Sequence, residues 1–237
     1  MIETRATMHG IPGDSARKRG LCKVLIPILI FGLLFGFAAG LLLGSLGLLP
    51  WWVGIFLLVG GVIGFSLFKL YQPSLVYGYF KGARGEEMVA GELARLPATW
   101  TIFNGLLLPN ELDIDHVAVG PQGIFIIETK HWSGDVAIHD GQLLANNRRL
   151  SKSPIAQVRN LTSAICELLP QYAQHVHGVL CFAGPQFMAG AQQLDEVKIC
   201  SYLNLSNQLT SGNIVLDAAE ITACVAHLGT LSITQGL

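Results

Sequence analysis

Residues Leu112–Lys130 read LDIDHVAVGPQGIFIIETK. Two apolar runs flank Gly120-Pro121-Gln122-Gly123, and the stretch reads as two strands joined at a tight turn. Asp113, Asp115, Glu128 and Lys130 interrupt segments that are otherwise built for burial. A buried carboxylate needs a partner, a proton or a metal.

The register of the two strands decides what these charges can do. If Gly120 and Gly123 flank the turn symmetrically, paired residue numbers sum to 243. Asp115 then lies opposite Glu128 and Asp113 opposite Lys130, with directly opposed Cβ atoms about 4.5–5.5 Å apart. Strand alternation keeps Glu128 and Lys130 on one face. Pro121 cannot take positive φ, which excludes the favoured two-residue hairpin turns. A four-residue loop, Gly120 to Gly123, on a type I turn keeps the symmetric register. A three-residue loop with Gly123 in a bulge shifts the pairing by one and sends Asp115 and Glu128 to opposite faces. Turn chemistry leaves both open.

In the symmetric register two carboxylates repel unless one is protonated or a cation sits between them. Mg²⁺ suits such a pair, because it takes one or two carboxylates and keeps water for a phosphate substrate. Lys130 would then orient or activate the attacking water, or stabilise charge developing on the phosphate. The competing reading is an Asp113–Lys130 cross-strand ion pair, with Asp115 and Glu128 at a solvated strand end.

Outward from the hairpin the chain reads as a compact α/β domain. In ARGEEMVAGELARL, from Ala83, Val89, Leu93 and Leu96 recur at helical spacing; Glu86 shares their inward face and Glu87 points away. WTIFNGLLL is a third strand-like run, and GDVAIHDGQLLANNRRL a short polar hairpin about Asp140-Gly141. Ser153-Pro154 supplies an N-cap and a first-turn proline for a helix with Ile155, Val158, Leu161, Ile165 and Leu168 on one face. HGVLCFAG and VKICSYL follow as strands, and DAAEITACVAHL closes the chain as a helix. Arg148, Arg149, Lys152 and Arg159 form a local basic cluster, suited either to a phosphate backbone or to a solvated face. His116 falls on the face opposite Asp115 and reads as packed or hydrogen-bonded. His131 and Trp132 lie at the strand end beside the site, as substrate contacts or as cover for the core.

The N-terminal third has another character. Between Lys23 and Lys69 there is no charged residue. VLIPILIFGLLFGFAAGLLLGSLGLL and PWWVGIFLLVGGVIGFSLF are each long enough, at roughly 20 residues per crossing, to span a bilayer. Pro50, Trp51 and Trp52 suit the turn between two crossings at the interface. The expectation is a transmembrane hairpin over 23–69, in contact with the membrane through residues 24–68. A cleaved signal peptide is the competing reading, with a shorter apolar core and no second span. Arg17, Lys18, Arg19 and Lys23 before the hairpin, and Lys69, Lys81 and Arg84 after it, place both ends on the cytoplasmic side. The localisation expected is therefore a multi-pass protein of the cell (inner) membrane, with both termini and the folded domain in the cytoplasm. Residues 1–22 are expected to lack fixed structure, and 70–82 to form a connector whose Pro and Gly oppose a continuous helix. Gly32, Gly36, Gly40 and Gly44 make a smooth helix face for packing within the hairpin or between copies of the chain, although glycine is also simply frequent in membrane helices.

Composition narrows the remaining choices. Five cysteines without paired spacing fit reduced thiols better than a disulfide framework or zinc site. From Gln72 onward nine Lys and Arg face fourteen Asp and Glu, a formal balance of −5. That is not the basic footprint of a dedicated nucleic-acid binder, so any nucleic-acid chemistry has to rest on a local site.

GARGE at 82–86, DIDHVAVGPQGIFIIETKHWSG at 113–134 and SPIAQ at 153–157 together resemble the NERD (nuclease-related) domain, placed among the PD-(D/E)xK, restriction-endonuclease-like folds. The resemblance implies an α/β (α+β) mixed sheet flanked by helices, with 83–170 as the nuclease-like core and 171–237 completing it. It implies a metal-dependent phosphodiesterase acting on DNA or RNA, with Asp115 and Glu128 as ligands of Mg²⁺ or Mn²⁺. Lys130 would be the catalytic lysine, Glu86 the helix carboxylate and Gln157 a polar residue of the second helix. The resemblance also favours the symmetric register. The kinase-like, helicase-like or zinc-ribbon partners of some such proteins are absent from this sequence. The expected function is thus a membrane-anchored nuclease; the alternative is a catalytically silent binding or scaffold module tethered to the membrane.

Overall fold

A computed structural model of the chain describes residues 5–45, 47, 50–70, 73–109, 111–150, 153–184 and 192–233. It divides into two units, residues 16–81 and a second unit made of 1–15 with 82–237.

In the second unit the strand β1 (Thr7–His9) precedes α1 (Asp14–Ser45). After α2 (Trp51–Leu70) and α3 (Pro73–Leu93) come β2 (Thr101–Leu107), β3 (Asp113–Gly120) and β4 (Gly123–Lys130). A small sheet β5 (Val136–His139), β6 (Gln142–Ala145) and β7 (Arg148–Arg149) leads into α4 (Pro154–Leu168). The chain finishes with β8 (Val176–Phe182), β9 (Gln192–Leu194), β10 (Val197–Ser201), α5 (Leu205–Thr210) and α6 (Ala218–Ile233). The main sheet is mixed, in the order β1-β2-β3-β4-β8-β10-β9. β2, β3 and β4 are antiparallel neighbours, while β4, β8 and β10 run parallel. The β4-to-β8 connection passes through α4, as a parallel pair requires.

Helices cover both faces of this sheet. Leu161 and Ile165 of α4 and Cys224 and Leu228 of α6 pack on one face against Val117, Val119, Ile124 and Ile126. On the other, Val89 and Leu93 of α3 and Leu205 and Leu209 of α5 pack on Ala118, Phe125 and Ile127. Period-two alternation along β3 and β4 assigns these residues to their faces. Ser153 caps α4, accepting from the Ala156 amide at 3.3 Å, and Pro154 opens the helix. The polar hairpin turns at Asp140 and Gly141, which take φ of +49° and +69°, the left-handed pair that a two-residue turn demands.

The N-terminus differs from expectation. Residues 5–22 are structured: β1 pairs in parallel with β2, Thr7 opposite Thr101, and α1 starts at Asp14. Three residues with no apolar alternation give no strand signal of their own; the open edge of β2 makes the strand. The expected connector at 70–82 is also overturned, because α3 begins at Pro73 and runs unbroken to Leu93. Proline at the first helical turn loses no hydrogen bond, and each interior glycine costs only about 1 kcal/mol.

In the other unit α1 and α2 are antiparallel and in contact. The Phe31 and Phe65 rings stack at 4.5 Å, and the Cβ of a residue placed at Gly61 would lie 2.9 Å from the Phe35 ring. A Cβ at Gly32 would enter Val62, whereas one at Gly44 would meet nothing. The glycine stripe therefore serves close approach of α1 to α2 at Gly32. One helix, over Asp14–Gly40, is long and apolar enough to cross a membrane; the described apolar part of α2, Trp52–Ser66, is shorter.

Candidate active site

The β3–β4 ladder runs from Gly120↔Gly123 to His116↔Ile127, the symmetric register. Pro121 and Gln122 form the turn without positive φ, while Gly123 takes φ of +131°. One step past the last ladder pair stand Asp115 and Glu128.

Glu128 is 3% exposed. Its Oε1 accepts from Lys130 Nζ at 2.5 Å and from Gln157 Nε2 at 2.7 Å. Lys130 Nζ also donates to Gln157 Oε1 at 3.2 Å, closing a three-residue ring between β4 and α4. Glu128 Oε2 is buried with no hydrogen-bond partner. Burial pushes the Glu128 carboxyl above its ordinary range, with the Asp113 charge adding to the rise; Lys130 and Gln157 pull it back down. The competing reading pairs Lys130 with Asp113 across the strands; the ion pair formed here is Glu128–Lys130, two residues apart on one face of one strand.

Asp115 Oδ2 accepts the Thr129 amide at 2.7 Å. The β2–β3 ladder passes from Asn104↔His116 to Leu106↔Ile114 with no Gly105↔Asp115 pair, and Gly105 has φ of +63°. This break leaves Asp115 outside the regular ladder on that side, and its side chain bonds the neighbouring strand instead. Burial pushes the Asp115 carboxyl well above its usual range, and the charges of Glu128 and then Glu86 push it further; the Thr129 amide and Lys130 oppose the rise. Glu86 reaches this field from α3, on the other face of the sheet, and is 6% exposed. Its Oε2 accepts the amide of Gly13 at 3.0 Å.

Five expected site residues, Glu86, Asp115, Glu128, Lys130 and Gln157, are therefore brought to one end of the sheet. Of the basic cluster, only Arg148 and Arg159 have described side chains. Arg148 is exposed on β7, and Arg159 is exposed on α4 two residues past Gln157, about 200° round the helix. Arg149 lies in β7, but its side chain falls outside the described residues, as does the whole of Lys152. Trp132 packs edge-on to Phe182 at 5.5 Å, as cover for the core.

His116 is fully buried, and its Nδ1 lies 2.8 Å from Asn104 Oδ1. Asn104 Nδ2 donates to the His9 carbonyl at 3.0 Å, which leaves Oδ1 as acceptor and places the His116 proton on Nδ1. Burial lowers the His116 pKa to about 3, so the ring stays neutral. Sequence reasoning missed Asn104, the Thr129 amide and Gly13. Only the period-two position of Asn104 opposite His116 could have pointed to any of them.

Among the described residues no three His, Cys, Asp or Glu side chains converge closely enough to hold a metal by themselves. What the site offers a cation is two carboxylates held above their ordinary range by burial, Asp115 further by the Glu128 charge, and one of them with an oxygen lacking any partner. That fits a hard ion that takes two carboxylates and completes its shell with water.

No curated protein and no solved structure matches this chain. Residues 81–183, which hold all five of these side chains, match the family model NERD, described as the nuclease-related domain.

Proposed function

We propose that the chain is a metal-dependent phosphodiesterase acting on nucleic acid, held at a membrane by its apolar helices. The observation that carries this reading is the Glu128–Lys130–Gln157 ring beside Asp115, buried carboxylates with an unpartnered oxygen in a nuclease-related domain. Asp115 and Glu128 would hold Mg²⁺ or Mn²⁺, which when bound would offset phosphate charge and lower the pKa of water. Lys130 has one donor beyond the two given to Glu128 and Gln157, so it can hold the attacking water or a non-bridging phosphate oxygen. Gln157 fixes the Glu128 carboxylate and the Lys130 ammonium together, which limits the rotamers either can visit. Glu86 adds negative charge from the opposite helix and would orient water at the same centre.

The sheet supports an even number of membrane crossings. Thr7 precedes α1 and Thr101 follows α2, yet the two are register partners in one sheet. A single crossing would put them on opposite sides, so a spanning α1 needs α2 as its return. Positive flanks favour the cytoplasmic side for that sheet.

The test uses the full chain in detergent micelles with labelled single- and double-stranded DNA and RNA, in Mg²⁺, Mn²⁺ or EDTA. Cleavage that needs metal and is lost in Glu128→Ala and Lys130→Ala is the expected result. Absence of cleavage under every condition, with no metal-dependent stabilisation, would leave a catalytically silent scaffold.

A further inference from the structure

The segment before α1 is built into the nuclease-related domain at six places. Arg5 bridges Pro97, Ala6 N donates to Leu96 O at 2.9 Å, and Thr7 N donates to Trp100 O at 3.0 Å. The β1–β2 pairing follows, then the His9 carbonyl accepting from Asn104, and last the Gly13 amide on Glu86 Oε2. Gly10 and Gly13 both have φ of +75°. A Cβ at Gly13 would sit 2.9 Å from the Ala83 Cβ and 3.0 Å from its carbonyl oxygen. These two glycines let the backbone itself, with no side chain intervening, approach the domain.

We propose that residues 5–13 are a positioning strap for the active site, with the Gly13 amide as the group that fixes Glu86. The inference rests on the function proposed above. A backbone N–H on a buried carboxylate is a strong, charge-assisted contact. Because α3 supplies Glu86 and β4 supplies Glu128, nothing in their local sequence sets the distance between them; the strap sets one end of it. Its next residue, Asp14, begins α1. The segment leading into the apolar helix is thereby a component of the site, and the domain is incomplete without it.

The experiment compares the full chain with Gly13→Ala and Glu86→Ala in detergent micelles, by backbone hydrogen exchange and by metal-dependent cleavage. Glu86→Ala is expected to speed exchange at Gly13 by about tenfold or more, the loss of one hydrogen bond to a charged group, with exchange in β3 and β4 unchanged. Gly13→Ala, with β3 and β4 equally protected, is expected to lower kcat about 10–100-fold with KM within twofold, as for a displaced catalytic group. Unchanged Gly13 exchange in Glu86→Ala would overturn the strap whether or not the chain cleaves anything. Unchanged kcat in Gly13→Ala would overturn its positioning role. If the unaltered chain is inactive while Gly13 exchange responds to Glu86→Ala, the contact stands and the proposed function is what fails. Should Gly13→Ala loosen β3 and β4 as well, Thr7→Pro, which removes the bond to Trp100 six residues upstream, replaces it with the same expectations and the same refuting results.

Discussion

Lys130→Met would remove the cation from a carboxylate that is 3% exposed and already lacks a partner on one oxygen. Gln157 alone would remain on Glu128 Oε1. Breaking a buried pair from one side costs about 3–5 kcal/mol when the remaining charge stays charged. Glu128 has an escape, because it can take a proton. Protonating a carboxyl whose ordinary pKa is 4.5 costs at pH 7 about 3.4 kcal/mol, at 1.36 kcal/mol per pH unit. That figure is an upper bound on the loss, since burial already holds the wild-type carboxyl high. The sign follows from the direction: a raised folded pKa gives stability that is intact below the unfolded value and lost as pH rises. At pH 5 the loss therefore shrinks to about 0.7 kcal/mol. Urea unfolding of the full chain in micelles, read by hydrogen exchange of β3 and β4 peptides at pH 5, 6 and 7, measures this slope. The double variant Lys130→Met with Glu128→Gln should lose only about 1 kcal/mol, with no slope. A pH-independent loss in Lys130→Met, or none at pH 7, would refute the idea that Lys130 neutralises Glu128.

Three other outcomes are expected. Mg²⁺ or Mn²⁺ should raise the melting temperature, by more at pH 8 than at pH 5, because protons compete for Asp115 and Glu128; calorimetry of Glu128→Gln should show the increment gone. His116, lowered from 6.5 to about 3 by burial, contributes stability that is present above pH 6.5 and falls with pH below it, by about 2 kcal/mol at pH 5. His116→Phe should remove that acid slope, as an acid titration followed by urea midpoints would reveal. Gly120→Ala would drive a methyl into the Trp100 ring and should cost about 1–3 kcal/mol in chemical denaturation.

Much of the site was legible because its parts sit close in sequence or obey simple periods. Period two puts Glu128 and Lys130 on one face, whereas the turn left two registers open; the resemblance pointed to the one that brings Asp115 level with Glu128 and to Gln157 of α4. The partner of Lys130 was not legible: cross-strand position points to Asp113, but α4 brings Gln157 over Glu128, and the ammonium joins both. Asp115's tie to Thr129 depends on the broken ladder at Gly105, a φ that no neighbouring residue announces. β1 was missed because Thr-Met-His carries no alternation and its partner strand is far along the chain. α3 was cut short in the reading because Pro73 and Gly82 look like punctuation, whereas proline at a first turn begins a helix.

Thr7 and Thr101 are paired although 94 positions apart, and this sets a schedule for biosynthesis. The first strand made cannot be placed until β2, the next strand of its sheet, has been made. At about 5–20 residues per second, it waits roughly 5–20 s for its neighbour to emerge. Closing a loop of that length costs on the order of 4 kcal/mol for a flexible chain, and the paired helices in between shorten the effective span. Both apolar helices, α1 and α2, are thus made before the sheet can be completed, and β1 meets β2 only after them.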